Sequence, residues 1–429
     1  MNEKNHSGEF PISRLSAWYI LIVCSLLYMI NYMDRQVLSI TTEYIRGDLG
    51  LTDSHIGIIQ TVFFMSMALF SFPVAFVVDR WSRKKTISIM AVLWSIFTLI
   101  TGMGKSFAGI LIPRALTGTG EAGFTSGGTP LIAAAFPREK RSMAMGIFNL
   151  AIPLGSALGI LLGGVMAQRY GWRTPFYVFA VPGVILGLLA LRMKDYKTVH
   201  HHDDTGRRIG FLQTVVLLFR IRTLKWLYLG YAMQNLMAFS FLTWGPAFYM
   251  RSHGADARQT GTAISIIGVM AIFGSIAGGI IADMWQRRNA RGRMLTAAYG
   301  LCSATVLFVL MIYFDISGIG FAIGIGFGIF LVIPIPAISA VTQDVSPPAL
   351  KGVSWGMNAF CCYVLGGGWA PLFIGFISDA IGGGAQGLKS GLLITAIGGL
   401  AGSMFYWLSS RSYPNDMEKI RGLTLEAGD

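Results

Sequence analysis

Apolar residues fall in long unbroken runs along the whole chain, separated by short polar segments. Twelve such runs lie near 16–46, 54–79, 86–104, 106–136, 141–168 and 174–192, then 224–251, 258–285, 293–313, 316–344, 350–380 and 388–410. A helix of about 18 apolar residues or more crosses a hydrocarbon core of roughly 30 Å, so each run is expected to span a membrane. The opening MNEKNHSGEFPISR is too short and polar for a cleavable signal, and the first helix reads as a retained anchor. The longest polar stretch, KDYKTVHHHDDTGRRIG, separates two sets of six. The pattern predicts an all-α membrane protein of twelve transmembrane helices. An N-terminal six-helix bundle covers 1–192, a linker 193–223, and a C-terminal bundle with its tail 224–429.

Composition agrees. Of 429 residues, 53% are hydrophobic and 13% charged, against about 25% charged in a soluble domain. Under this topology, 25 of the 34 Lys and Arg residues lie on the side of the termini and linker, 7 on the other side and two within spans. The positive-inside rule then puts both termini and the linker in the cytoplasm, the protein residing in the cell membrane. The net charge of +13 follows from topology and anionic lipid headgroups, and implies no nucleic acid. Cys24, Cys302, Cys361 and Cys362 lie in spans without paired spacing and read as buried small side chains, not disulfides or metal ligands. The HHHDD run at 200–204 reads as a solvated linker segment.

The halves repeat each other. AFVVDRWSRKK follows span two and GIIADMWQRR follows span eight, so Asp79 and Arg83 correspond to Asp283 and Arg287 at an offset of 204. Pro137, Arg141 and Gly146 correspond to Pro347, Lys351 and Gly356 at an offset of 210. Two parallel repeats of six helices suggest an axis normal to the membrane and a binding site near its midplane. An Asp at a helix end among basic residues can form a clasp made in one conformation and broken in another, which assigns Asp79, Arg83, Asp283 and Arg287 that role.

Four charged groups stand inside apolar spans. Asn31, Asp34 and Arg35 interrupt YILIVCSLLYMINYMDRQVLSI, and Arg114 and Glu121 flank the glycines of RALTGTGEAGF. Each charge at the bilayer centre costs about 2.5–3.5 kcal/mol, so the four must pair or line water. Gly118, Gly120 and Gly123 spell G-x-G-x-x-G, but no strand precedes them, so a dinucleotide site is excluded. Small residues instead let helices approach closely. Arg114 and Glu121, two turns apart, share a face. Tyr28, Asn31 and Arg35 share another, which makes Arg35 the candidate anion contact. With no charge near the middle of spans seven to twelve, that half offers neutral groups: Tyr231, Gln234, Asn235, Thr243, Ser265 and Asn358. The candidate substrate site is thus Tyr28, Asn31, Arg35, Arg114, Tyr231, Gln234, Asn235 and Asn358, with Asp34 and Glu121 as proton carriers. The four charges sum to zero, and protonating one carboxylate leaves a net positive site suited to an anion, the logic of proton symport.

These motifs resemble the major facilitator superfamily of transporters. AFVVDRWSRKK is similar to its loop between helices two and three, with Ala75 and Ser82 where glycines are usual. INYMDRQVLSI, GEAGF, AIPLGSALG, FYMRSHG and PLFIGFISDAIG resemble bacterial spinster-like members. INYMDR, Arg114 with Glu121, and FLTWGP resemble the anion:cation symporter group, whose members carry sugar acids and other organic anions. The resemblance implies a monomeric secondary transporter of a small organic anion, with a proton as coupling ion and no cofactor. A spinster-like exporter of an amphiphile is the alternative. An integral membrane enzyme is the remote one, since the six histidines lie near termini, linker or span ends.

Overall fold

The computed structural model describes residues 13–195, 211–316, 318–347 and 350–425. The HHHDD run and the first twelve residues lie outside them, as does the side chain of Asp79. The helices are α1 (Arg14–Leu49), α2 (Asp53–Arg80), α3 (Arg83–Gly102), α4 (Phe107–Glu121), α5 (Phe124–Ala135), α6 (Arg138–Tyr170) and α7 (Arg173–Ala190). There follow α8 (Phe211–Arg220), α9 (Arg222–His253), α10 (Ala257–Arg288), α11 (Gly292–Ile312), α12 (Ile319–Val332), α13 (Pro334–Asp344), α14 (Lys351–Cys361), α15 (Ala370–Ala380) and α16 (Gly384–Leu425).

These make twelve rods. The fourth, tenth and eleventh are each broken, as α4/α5, α12/α13 and α14/α15. The first break falls at Ala122 and Gly123, the second ahead of Pro334, and the third is a π-turn and 3₁₀ turn through Gly366–Gly368 before Pro371. Pro removes a donor and Gly weakens the helix, so irregular backbone gathers at these points. Ten helical segments among the described residues are long and apolar enough to cross a membrane. The fourth rod misses because the turn at Ala122 and Gly123 leaves pieces of only 15 and 12 residues, and α9 because Gln234 and Asn235 dilute an apolar sequence. One element was not foreseen: α8 lies within the presumed polar linker, with Val216 and Leu217 exposed and Leu218 buried.

Within each half the rods pack as the repeat requires: α1 lies against α6 and α7, and α9 against α14/α15 and α16. The face holding the linker and chain ends is called the linker face below, the opposite one the far face. The apolar core divides unevenly between them. One cluster joins Ile40, Ile45, Ile56 and Ile160 to the whole C-terminal half, whereas Leu21, Tyr28, Trp94, Phe124 and Phe148 form a separate cluster in the linker-side N-terminal half.

The far-face seam is built from glycines. A Cβ on Gly57 would lie 2.5 Å from the Pro371 carbonyl oxygen, and one on Gly375 would lie 2.5 Å from that of Asp53. One on Gly164 would lie 2.6 Å from the Ala257 carbonyl oxygen, and one on Gly261 would lie 3.0 Å from that of Ile160. Gly57 and Gly261 stand at the repeat offset of 204. The two seams, α2 on α15 and α6 on α10, are therefore pseudo-symmetric copies. Only residues without side chains allow such approaches.

Hydrogen bonds crossing between halves gather at the same end. Arg251 donates to Glu43 Oε1 (2.6 Å from Nη2) and to both oxygens of Asp53 (2.7 Å each), whose Oδ2 also accepts from Ser378 (2.6 Å). Asp379 of α15 caps the N-terminus of α2, accepting from the Asp53 and Ser54 amides at 3.1 and 2.8 Å. Ser39 donates to the carbonyls of Leu242 and Thr243, and Ser265 to that of Ala157. The far face is shut.

Candidate functional site

Between the halves lies a chamber of two lobes. The deeper lobe, about 290 Å³, is lined by Gln36, Gln60, Tyr231, Gln234, Asn235 and Thr243 among others. The lobe nearer the linker face, about 580 Å³, is lined by Tyr28, Ser71, Glu121, Thr125, Thr129 and Trp355 among others. Tyr32, Arg35 and Tyr363 line both and form the waist.

Arg35 projects from α1 into this waist. Its Nε donates to Glu121 Oε2 at 2.8 Å, and its guanidinium lies 4.5 Å from the centroid of the Tyr32 ring. The Glu121 side chain is fully buried and that of Arg35 is 12% exposed, so one end of the pair faces the chamber. Such a pair adds little net stability, since desolvation offsets the attraction, but removing one partner strands a buried charge at a cost of about 3–5 kcal/mol.

Asp34 and Arg114 form a second, enclosed layer. Thr98 donates to Asp34 Oδ2, and Arg114 Nη1 reaches the Asp34 carbonyl oxygen at 3.5 Å. The Arg114 guanidinium lies over the Phe63 ring, 4.4 Å from its centroid, with no exposed surface. The glycines of GTGEAG explain how it got there. A Cβ on Gly118 would lie 2.4 Å from the Phe63 carbonyl oxygen, and one on Gly123 would lie 2.1 Å from Val74 Cγ1, so α4 and the turn after it press onto α2. Gly120 meets Trp94 of α3 in the same way. The glycines carry helix packing.

Several sequence expectations need correction. Arg114, Asn31 and Asn358 do not line the chamber. Arg114 and Asn31 are fully buried behind it, and Asn358 is turned aside to donate to Thr342 Oγ1 at 3.1 Å. Gln234 reaches the wall, but its amide donates to the Leu331 carbonyl and accepts from the Tyr406 hydroxyl, both at 2.7 Å. Asn235 donates to the Tyr231 carbonyl at 2.8 Å. Tyr28, Arg35, Tyr231, Gln234, Asn235 and Glu121 do stand on the chamber wall, and Asp34 one layer behind. Tyr32, Tyr363, Gln36 and Gln60 were missed. Gln60 is the one amide side chain in α2, and Tyr32 and Gln36 flank charges already singled out; these signals were present. Nothing in CCYVLGGGW marks Tyr363, which the π-turn directs to the waist.

The second-half clasp also differs. Asp283 pairs with Arg293 (2.8 Å), which pairs with Asp344 (2.7 Å), which accepts from Tyr413 (2.6 Å). Arg293 opens α11 and reaches back across the short turn, whereas Arg287 forms no ion pair among the described residues. The result ties α10, α11, α13 and α16 together within one half. In the first half Arg83 is buried, and Ser82 donates to Asp195 at 2.6 Å.

Known proteins are similar to this chain in sequence and in fold. A hexuronate transporter of Bacillus subtilis is 26% identical over 71% of this chain and 72% of its own length. An MFS-type efflux pump of Mycolicibacterium smegmatis is 29% identical over 94% of both chains. The crystal structure of a bacterial homologue of the human lysosomal transporter spinster, inward-facing and unoccupied, superposes with a TM-score of 0.84 over 94% of this chain and 99% of that one, at 21% identity. These are transporters, not enzymes, and the protein is a multi-pass membrane protein moving a small molecule. The Major Facilitator Superfamily model matches residues 24–371, and the chain belongs to that family.

Proposed function

We propose that the protein imports a small organic anion of the sugar-acid class by proton symport, through alternating access. The carrying observation is Arg35 at the waist of the chamber, held by Glu121 on one side and by Tyr32 on another. Glu121 stands at the chamber wall behind Arg35, so a swing of Arg35 gives its carboxylate access to a proton from the chamber. Protonating it releases the guanidinium, whose planar fork takes a carboxylate in its place. Polar groups of the deeper lobe, Gln36, Gln60, Asn235 and Thr243, suit the hydroxyls of a sugar acid. Asp34, enclosed by Thr98 and Arg114, holds α1, α3 and α4 in register. The hexuronate carrier among its relatives supports this substrate class.

Basic residues crowd the linker face, which supports a cytoplasmic linker and termini in a bacterial inner membrane. The far face is then periplasmic, and its seam closes the chamber off from the periplasm. The protein works as a monomer, both halves of the chamber coming from one chain.

A second reading, export of an amphiphile, is favoured by the apolar wall of the linker-side lobe, Met67, Phe124, Pro130 and Phe360. Proteoliposomes with an imposed pH gradient separate the two. Labelled glucuronate should accumulate with the gradient and collapse with a protonophore. Uptake indifferent to both, or lysolipid movement without glucuronate movement, would overturn the symport reading.

A further inference from the structure

A second charged recess lies on the linker face, far from the chamber. The end of α8, the start of α9 and the last turns of α16 surround a groove of about 400 Å³ lined by Arg220, Arg222, Trp226, Arg411, Asp416 and Lys419 among others. Its acid is already engaged: Asp416 Oδ2 accepts from the Thr223 amide and hydroxyl at 3.0 and 2.8 Å, and Lys419 lies 3.7 Å from Oδ1. Arg220, Arg222 and Arg411 have no carboxylate within 4.0 Å among the described residues. Arg411 lies over the Trp407 ring at 3.8 Å. Three permanently charged guanidiniums thus line one groove whose carboxylate, Asp416, is already engaged by Thr223 and Lys419, which fits a phosphate.

The surface above the groove identifies where that phosphate comes from. Along α16, Ile397, Leu400, Met404 and Trp407 are exposed by 66, 50, 58 and 39%. They follow one another by three or four residues, so they form one stripe down the helix, and the next step is Arg411. An acyl chain lying on that stripe brings its headgroup to the groove. Trp226, stacked on Phe405 at 5.6 Å, and Trp407 stand at the boundary where amphipathic rings collect. A water-soluble anion would have no use for the stripe. We propose that this groove binds the phosphate of an anionic phospholipid from the leaflet on the linker face, cytoplasmic under the orientation above. The lipid fastens α8 and the start of α9 to the end of α16.

The test uses the full chain purified in detergent and titrated with phosphatidylglycerol, phosphatidylcholine or inorganic phosphate, with retained lipid counted by native mass spectrometry. Phosphatidylglycerol should bind in preference to phosphatidylcholine. Each lost cation near a charged headgroup weakens binding about fivefold, so R222Q/R411Q should bind about 25-fold more weakly. R288Q/R291Q, which removes two exposed charges from the same face, should bind within about twofold of wild type. Undiminished binding by R222Q/R411Q, or equal loss in both variants, overturns the proposal. So does full competition by inorganic phosphate at matched concentration, which would make this a free-anion site. Should R222Q/R411Q fail to fold, the wild-type melting temperature decides. It should rise with phosphatidylglycerol and not with phosphatidylcholine or phosphate, and a rise equal for all three refutes the assignment.

Discussion

Replacing Gly57 by alanine should open the far face. The new Cβ would lie 2.5 Å from the Pro371 carbonyl oxygen and 2.9 Å from Leu372 Cα, whereas ordinary contact begins near 3.4 Å. Both neighbours are backbone atoms, so no rotamer change relieves the clash, and α2 and α15 must part by about 0.9 Å there. Overpacking of this kind costs about 1–3 kcal/mol. That cost falls on the state in which the seam is shut. The intrinsic gain of alanine over glycine in a helix, about 1 kcal/mol, applies to both states and cancels. The equilibrium should therefore move about 5- to 150-fold toward the far-face-open state. Spin labels on cysteines placed at the exposed positions Gly47 and Gln386, in a background lacking the four native cysteines, report the distance across the seam. The longer distance should dominate in Gly57→Ala. Gly146→Ala, where a Cβ meets nothing within 4 Å, should leave the distribution alone. An unchanged distribution in folded Gly57→Ala protein, or an equal shift in the control, would refute the reasoning.

Arg251→Gln should act in the same direction, because it leaves the fully buried Asp53 carboxylate with only the more distant Arg46, 3.6 Å away, at a cost below the roughly 3–5 kcal/mol of a fully stranded charge and in the shut state alone; the same label pair measures it. Arg35→Lys keeps the charge but loses the fork, and glucuronate binding measured by calorimetry should weaken about tenfold to a hundredfold; normal affinity would remove Arg35 from the substrate contact. Glu121→Gln should abolish proton-driven accumulation in liposomes while counterflow persists, whereas Asp34→Asn, which disturbs the contact with Thr98, should chiefly lower the melting temperature. Gradient-driven accumulation by Glu121→Gln would reassign the proton carrier.

The sequence by itself determined the architecture. Twelve apolar runs, an excess of basic residues on one side and an offset of 204 between Asp79 and Asp283 fix a duplicated six-helix bundle. Hydropathy, loop charge and repeat spacing are local properties of a chain in a bilayer, where each helix must satisfy its own backbone. The rarity of charge inside the spans likewise pointed to Asp34, Arg35, Arg114 and Glu121, because intramembrane charge is too costly to be incidental. What it could not decide is which charge faces which. The linear reading favours Arg35 as the anion contact but leaves Arg114 in the same site, whereas in the fold one lines the waist and the other packs on Phe63 behind it, with Glu121 bonded to Arg35. That difference follows from the glycine contacts of α4 with α2 and α3, which are long-range packing. Asn358 and Gln234 showed the same limit: a polar residue in a span needs a partner, and only the fold reveals whether that partner is a neighbouring helix or a bound molecule. The far-face seam carries both kinds of information. Its glycines recur at the repeat offset and were there to be read, but the carbonyl oxygens they press against belong to the opposite half, and only its docking brings them within reach.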